Sequence, residues 1–278
     1  MNNFTVRSIS AFVYLVIMVG GILIAPVFPF LVAFMIVWTM HEFYRMAYGN
    51  NRDFLLQRML AVFTALLMFA IITFTTVGLV PGKLVASAML PVIAIMVSPV
   101  WLKDHSKHST ISHIYTGLIC IGLPISMLPM LTLKTGEHDG FLLLGILFVI
   151  WVSDVGAYVL GSLLGQRPGA WKLAPAISPK KSWWGFAGAV ISGMLFAVLL
   201  HYIGIFKFSV DHCLGLGALT SGCAVLGDLV ESMFKRAFGV KDSGKIMPGH
   251  GGLYDRIDSA IVAIPAAAVY LEIFGLLG

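Results

Sequence analysis

Runs of about twenty apolar residues recur along the whole chain, and they leave few architectures open. In lipid, every backbone N–H and C=O must be paired inside the protein, so only helices and closed barrels can span. A barrel needs alternating strands, and these runs are continuous. Spans are expected at about 9–25, 29–46, 59–77, 84–102, 113–132, 141–161, 183–204, 212–235 and 257–277. The fold class expected is therefore all-α: a polytopic helical membrane protein with about nine transmembrane helices. A hydrophobic fraction of 59% fits that class and not a soluble domain. Residues 1–278 read as a single integral-membrane domain, with scaffold spans over 1–140 and a catalytic portion over about 141–278. The sequence shows no internal repeat of 20 to 50 residues, no low-complexity tract and no soluble domain.

The first apolar run follows Arg7 as a signal peptide would, but it lacks a clean small-residue cleavage site. It continues through Pro26 and Pro29 into the second run, so a retained helix is expected. Lys and Arg then set the orientation. With the N-terminus inside, the 18 Lys and Arg all fall on inner segments except Lys83, Lys134 and Lys207. That bias places the N-terminus and the loops rich in Lys and Arg on the cytoplasmic side of the cell (inner) membrane. It also accounts for the net charge of +5 without nucleic acid, because no basic stripe is interleaved with aromatics in a soluble domain. Cys120, Cys213 and Cys223 lie in apolar runs without metal-binding spacing and read as buried small residues.

The first five spans carry little polar content. His41 and Glu42 suggest a local polar pair near the end of the second span, and His105, His108 and His113 read as solvated residues around an inner loop. The sixth span differs. Asp154 lies well inside an apolar run, where a lone carboxylate costs at least a few kcal/mol and should face a polar cavity or a cation. Gly156, Gly161 and Gly165 follow at helical spacing and permit close approach of a neighbouring helix. The loop over 165–182 is long for a connector and is expected to lie along the membrane or fold over the site.

Charge is concentrated in one stretch, 228–258. Asp228, Glu231, Lys235, Arg236, Lys241, Asp242, Lys245, His250, Asp255, Arg256 and Asp258 all fall there, although charged residues are only 11% of the chain. Asp228, Glu231 and Ser232 share a helix face at spacings of three and four, and Glu231 is placed to pair with Lys235. Asp255 and Asp258, three apart, open the last apolar run. Between them and the preceding helix, Pro248, Gly249, Gly251 and Gly252 permit a tight turn and close backbone approach. Carboxylates in such a set hold a hard cation such as magnesium, while Lys, Arg and His meet phosphate oxygens. Asp228, about seven residues before Lys235, lies roughly 10 Å below the inner end of its helix. A polar site sunk into the membrane suits one soluble and one lipid substrate.

This stretch resembles the signature of the phosphatidate cytidylyltransferase (CDP-diacylglycerol synthase) family. The residues are Ser232, Lys235, Arg236, Lys241, Asp242, His250, Gly251, Gly252, Asp255, Arg256 and Asp258, without a spacing error. Asp154-Val-Gly-Ala-Tyr158 with Gly161, and Ser178-Pro-Lys-Lys-Ser182, are similar to two upstream family segments. Ser182 stands where the family usually has Thr and keeps the hydroxyl, whereas Trp184 stands at a usually acidic position. The resemblance covers about residues 150 to 260. It implies that CMP passes from CTP to phosphatidic acid, giving CDP-diacylglycerol and pyrophosphate. It also implies magnesium, with room for a second, monovalent cation, and a homodimer. On this reading Asp228, Asp255 and Asp258 are metal ligands. Lys235, Arg236, Lys241, Arg256 and His250 neutralise the phosphates, and Ser178, Lys180, Lys181, Ser232, Gly251 and Gly252 bind substrate. The rival readings are a CTP-dependent lipid kinase of the polyprenol or phytol type, and a transporter. The kinase would leave CDP, and the transporter would lack CTP turnover.

Overall fold

The computed structural model describes residues 3–101, 109–134 and 137–277. His105, His108, Lys103 and Lys107 lie outside the described residues. Two compact units are present: residues 1–139 with 242–255, and residues 140–241 with 256–278.

The first unit opens with three long helices: α1 (Asn3–Leu23), α2 (Phe28–Tyr48) and α3 (Leu55–Thr76). A 3-10 segment, Gly82–Ala88, runs into α4 (Met89–Val97). The next span is segmented into α5 (Ser112–Gly117), a π-helical turn at Leu118–Gly122 and α6 (Leu123–Ser126). The sequence gives the reason. Pro124 lacks an N–H and its ring crowds the carbonyl four residues back, so the ladder widens just before it. Gly122 sits in the same turn, where a Cβ would come within 2.8 Å of Ala65 and 2.9 Å of the Met40 sulfur. A short hairpin, β1 (Leu133–Lys134) with β2 (Glu137–His138), follows. His138 Nε2 lies 2.7 Å from the Ile22 carbonyl, tying this hairpin to α1.

The second unit is built on α7 (Phe141–Leu163), α8 (Trp183–Tyr202), α9 (Val210–Ala237) and α10 (Tyr254–Ile273), whose first two residues belong to the first unit. Small residues make the helix contacts. A Cβ on Gly188 of α8 would lie 2.4 Å from the Gly156 carbonyl of α7, and one on Gly217 of α9 would lie 2.8 Å from the Gly193 carbonyl of α8. A Cβ on Gly227 of α9 would lie 2.5 Å from the Asp258 carbonyl of α10. Glycine is the residue that lets backbones approach this closely in a membrane helix bundle. The 165–182 segment is a twisted hairpin, β3 (Lys172–Ala174) against β4 (Ser178–Ser182).

Over the described residues, each expected span coincides for most of its length with helical segments. Among the described residues, seven helical segments are long and apolar enough to cross a membrane. The two that fall outside that set are α2 and α10, and α10 carries Asp255, Arg256, Asp258 and Glu272 within 20 residues. The protein is thus a helical, multi-pass membrane protein, and among the described residues its strands are confined to two short hairpins.

Candidate active site

In the second unit, α9 and α10 bring three carboxylates together. Ligand oxygens of Asp228, Glu231 and Asp258 all lie within 4.8 Å of one another. The i,i+3 spacing on α9 puts Asp228 and Glu231 on one face. Gly227, by allowing α10 to approach at Asp258, supplies the third acid. Glu231 is buried, at 1% exposed.

Two lysines partner this acid cluster. Lys181 Nζ, from β4, lies 2.6 Å from Asp228 Oδ2, and Lys235 Nζ lies 2.5 Å from Glu231 Oε2. Ser232 Oγ donates to Asp228 Oδ1 at 3.3 Å. Asp258 Oδ1 accepts the Ser259 N–H at 2.7 Å, and Asp258 has no ion pair among the described residues. Three hard oxygen donors from two packed helices fit a divalent metal ion.

The β3–β4 hairpin positions Lys181. Gln166 Nε2 donates to the Lys180 carbonyl at 2.8 Å, and Lys172 Nζ reaches the Gly165 carbonyl at 2.8 Å. Ser182 then caps α8, its Oγ accepting the Gly185 N–H at 3.2 Å. The hydroxyl at this position therefore serves a helix start. Of the two placements expected for this segment, along the membrane or folded over the site, the hairpin fits the second, because it brings Lys181 to Asp228. Beside it is a cavity of about 540 Å³, lined by Asp154, Lys180, Lys181 and Asp228 together with Tyr158 and Phe186. Asp154 lies within electrostatic reach of both Asp228 and Lys181, so the lone carboxylate of α7 faces a largely apolar cavity that also holds a lysine and a second acid. Ser178 begins β4 opposite Ala174, and Trp184 is half-exposed. Arg236, Lys241 and Arg256 are exposed.

The first unit holds the glycine-rich loop. Gly251 has φ +83°, a conformation costly for any other residue, and a Cβ there would lie 2.5 Å from Asp255 Oδ2. Asp255 Oδ2 accepts from Ser243 N (2.9 Å), Ser243 Oγ (2.9 Å) and Gly252 N (2.7 Å). Glu42, on α2 and only 4% exposed, reaches the same loop. Its Oε1 accepts from Leu253 N at 3.1 Å and Trp38 Nε1 at 3.0 Å. Its Oε2 accepts from Tyr254 N at 2.9 Å and Ser243 Oγ at 3.2 Å. Glu42 and Asp255 thus satisfy the N–H groups of Gly252, Leu253 and Tyr254, which lead into α10 and have no partner within the helix. His250 Nδ1 lies 2.8 Å from Ser10 Oγ, and Arg7 Nε donates to the Gly249 carbonyl at 3.0 Å.

Of the three acids expected as metal ligands, Asp228 and Asp258 belong to the second unit and Asp255 to the first. Glu231 stands with Asp228 and Asp258, and Asp255 has an oxygen committed to three loop donors in the other unit. The reason is positional: Asp255 lies in the first turn of α10, where a carboxylate caps backbone N–H groups. Two residues escaped the sequence reading. Glu231 was legible as sharing a helix face with Asp228 and as a partner for Lys235, though not as a metal ligand, and Glu42 only as a partner for His41. A lone acid in an apolar helix was the available signal for Glu42.

The site has relatives. A 132-residue stretch is 43% identical to a phosphatidate cytidylyltransferase of Haemophilus influenzae, covering 46% of this chain and 44% of that protein. Phosphatidate cytidylyltransferases of Staphylococcus aureus and Staphylococcus haemolyticus are each 42% identical over 123 residues, covering 44% of this chain and 46% of theirs. The matched stretch is thus under half the length of these relatives. The sequence model of the cytidylyltransferase family is broader in reach and matches residues 5–274. A match over nearly the whole length places this chain in the cytidylyltransferase family.

Proposed function

We infer that the protein is a CTP:phosphatidate cytidylyltransferase, making CDP-diacylglycerol and pyrophosphate for phospholipid synthesis. The observation that carries this reading is the grouping of Asp228, Glu231 and Asp258 with Lys181 and Lys235 in a membrane-embedded member of the cytidylyltransferase family. Its relatives' name supplies the substrate pair.

The chemistry suits these residues. An oxygen of the lipid phosphate attacks the α-phosphorus of CTP, and the bond to the β-phosphate oxygen breaks. The nucleophile is already anionic at neutral pH and needs no strong general base. The barrier is the approach of an anion to a triphosphate, and fixed positive charge lowers it. Magnesium held by Asp228, Glu231 and Asp258 would neutralise phosphate oxygens; a monovalent ion beside it is compatible with the same acids and Asp154. Lys181 and Lys235 turn from their carboxylates toward phosphate as the substrates enter. Lys180 and Ser178 on β4 serve the cavity mouth, and Ser232 orients Asp228. Arg236, Lys241 and Arg256 attract the triphosphate and the departing pyrophosphate. Asp255, Gly251 and Gly252 act through the loop that carries His250, and His250 meets phosphate there.

The reading includes a cytoplasmic site in the inner membrane, supported by the distribution of Lys and Arg. It also includes one integral-membrane domain working as a homodimer, which the family resemblance supports. CTP labelled in either the cytidine or the γ-phosphate tests the reaction. Cytidine label in the lipid supports the proposal, whereas γ-label in the lipid with CDP released would make the protein a lipid kinase.

A further inference from the structure

A second polar feature lies in the first unit, away in sequence from the signature. The loop between α2 and α3 and the facing ends of both helices enclose a cavity of about 930 Å³. Arg45, Arg52 and Arg58 line one end of it, with Asn50 and Asn51. Val37, Met59, Phe63 and Leu66 line the other. The apolar end is open to the surroundings: Met59 is 62% and Phe63 55% exposed.

The arginines are unequal. Arg58 is anchored: it donates to the Asn51 carbonyl at 2.7 Å and to the Asp53 carbonyl, and its guanidinium lies 4.6 Å from the Tyr48 ring centroid. Arg45 and Arg52 are exposed, and their side chains make no hydrogen bond or ion pair with any described residue. Asp53 is the acid within electrostatic reach of Arg58, and its carboxylate takes a hydrogen bond from Asn51 Nδ2. The local balance therefore stays positive. α3 begins here without a side-chain cap and without an acid in its first turn, so its dipole adds to the same sign.

We propose that this cavity is a binding site for an anionic glycerophospholipid taken from the bilayer, a second lipid site built from none of the catalytic residues. The phosphodiester sits against Arg45 and Arg52, whose planar guanidinium groups match phosphate oxygens in pairs. One acyl chain lies along Met59, Phe63 and Leu66. The occupant is identified by chemistry: three cations at one end and a lipid-accessible apolar wall at the other match an amphiphile with a negative head. A free anion would use only the first, and a zwitterionic lipid would bring its own positive charge to the arginines.

Native mass spectrometry of the delipidated, purified protein tests this by titration with phosphatidylglycerol, phosphatidylcholine of the same chains, and inorganic phosphate. The wild-type protein is expected to bind phosphatidylglycerol about tenfold more tightly than phosphatidylcholine, the scale of one charge-assisted contact. Arg45→Gln with Arg52→Gln should remove that preference, Lys replacements at both positions should keep part of it, and Lys83→Gln with Lys207→Gln should leave it unchanged. Should the double Gln variant fail to fold, Arg52→Gln alone, in an exposed loop, is expected to reduce the preference. Equal phosphatidylglycerol binding by the wild type and the Gln variants, an equal loss in the Lys83/Lys207 control, or phosphate binding as tight as lipid binding would each overturn the proposal.

Discussion

Glu42 and Asp255 accept from the same hydroxyl, that of Ser243, at 3.2 and 2.9 Å. Ser243 has one hydroxyl proton, so the two carboxylates share it, and each takes further backbone N–H groups from the glycine-rich loop. Two acids 213 positions apart thus hold one turn, because Glu42 lies on α2 and Asp255 opens α10. The loop's shape is fixed by side-chain acceptors, and its glycines make room for them: a Cβ at Gly252 would lie 2.1 Å from Ser243 Oγ and 2.5 Å from Glu42 Oε2.

Glu42→Ala should therefore destabilise the folded protein, because it strands the buried donors of Leu253 and Tyr254 and the part-buried donor of Trp38. An unsatisfied buried donor costs about 1–3 kcal/mol, so a loss of about 3 kcal/mol is expected. Glu42→Gln keeps one acceptor oxygen and should lose less. Thermal unfolding in detergent reads the difference, and an unchanged Tm in Glu42→Ala would contradict the capping role.

The two kinds of acid should separate in kinetics. Asp258→Asn removes a member of the acid cluster, and turnover should fall by at least about a hundredfold, with a raised magnesium requirement. Asp255→Ala should lower Tm and turnover together while its residual activity keeps the wild-type half-saturation for magnesium. The same magnesium shift in both variants would return Asp255 to the metal-binding set.

Lys181→Met should leave a folded protein with kcat reduced by about 10²–10³, because its ammonium is held at the cluster by the β3–β4 hairpin and is available for developing phosphate charge. An effect confined to KM would instead make Lys181 a ground-state binding group.

Gly188→Ala tests the helix contact behind the site. The new methyl would sit 2.4 Å from the Gly156 carbonyl, which cannot yield as a flexible side chain would. Overpacking of this kind costs about 1–3 kcal/mol. Melting in detergent should show that loss, and a variant as stable as the wild type would mean that α7 and α8 have slack at this level.

Much of this organisation was legible in the sequence. The apolar runs set the positions of the helices to within a turn or two, because burial in lipid depends on composition over about twenty residues. The lone carboxylate at Asp154 announced, by its cost, the charged neighbours Lys181 and Asp228 that it meets at a cavity. What the sequence could not show was pairing between distant residues. The hydrogen bond from Tyr254 to Glu42 spans 212 positions, and no local pattern encodes it. Glu231 looked complete as the i,i+4 partner of Lys235, and that pair does form. Its place in the acid cluster depends on how closely α10 approaches at Gly227, which is a packing outcome. Pro124 accounts for the segmentation of the fifth span by its own chemistry, whereas the close approach of Ala65 and Met40 to Gly122 in the same turn is a packing outcome.

The central claim is that the acids of α9 and α10 hold a divalent ion for transfer of CMP to a lipid phosphate. The direct measurement is the formation of cytidine-bearing lipid by purified protein from CTP and phosphatidic acid, as a function of magnesium, for the wild type and Asp228→Asn. The account predicts no product in EDTA, saturable recovery with magnesium for the wild type, and no recovery for Asp228→Asn at any magnesium concentration. Undiminished product in EDTA, or wild-type turnover by Asp228→Asn, would contradict it.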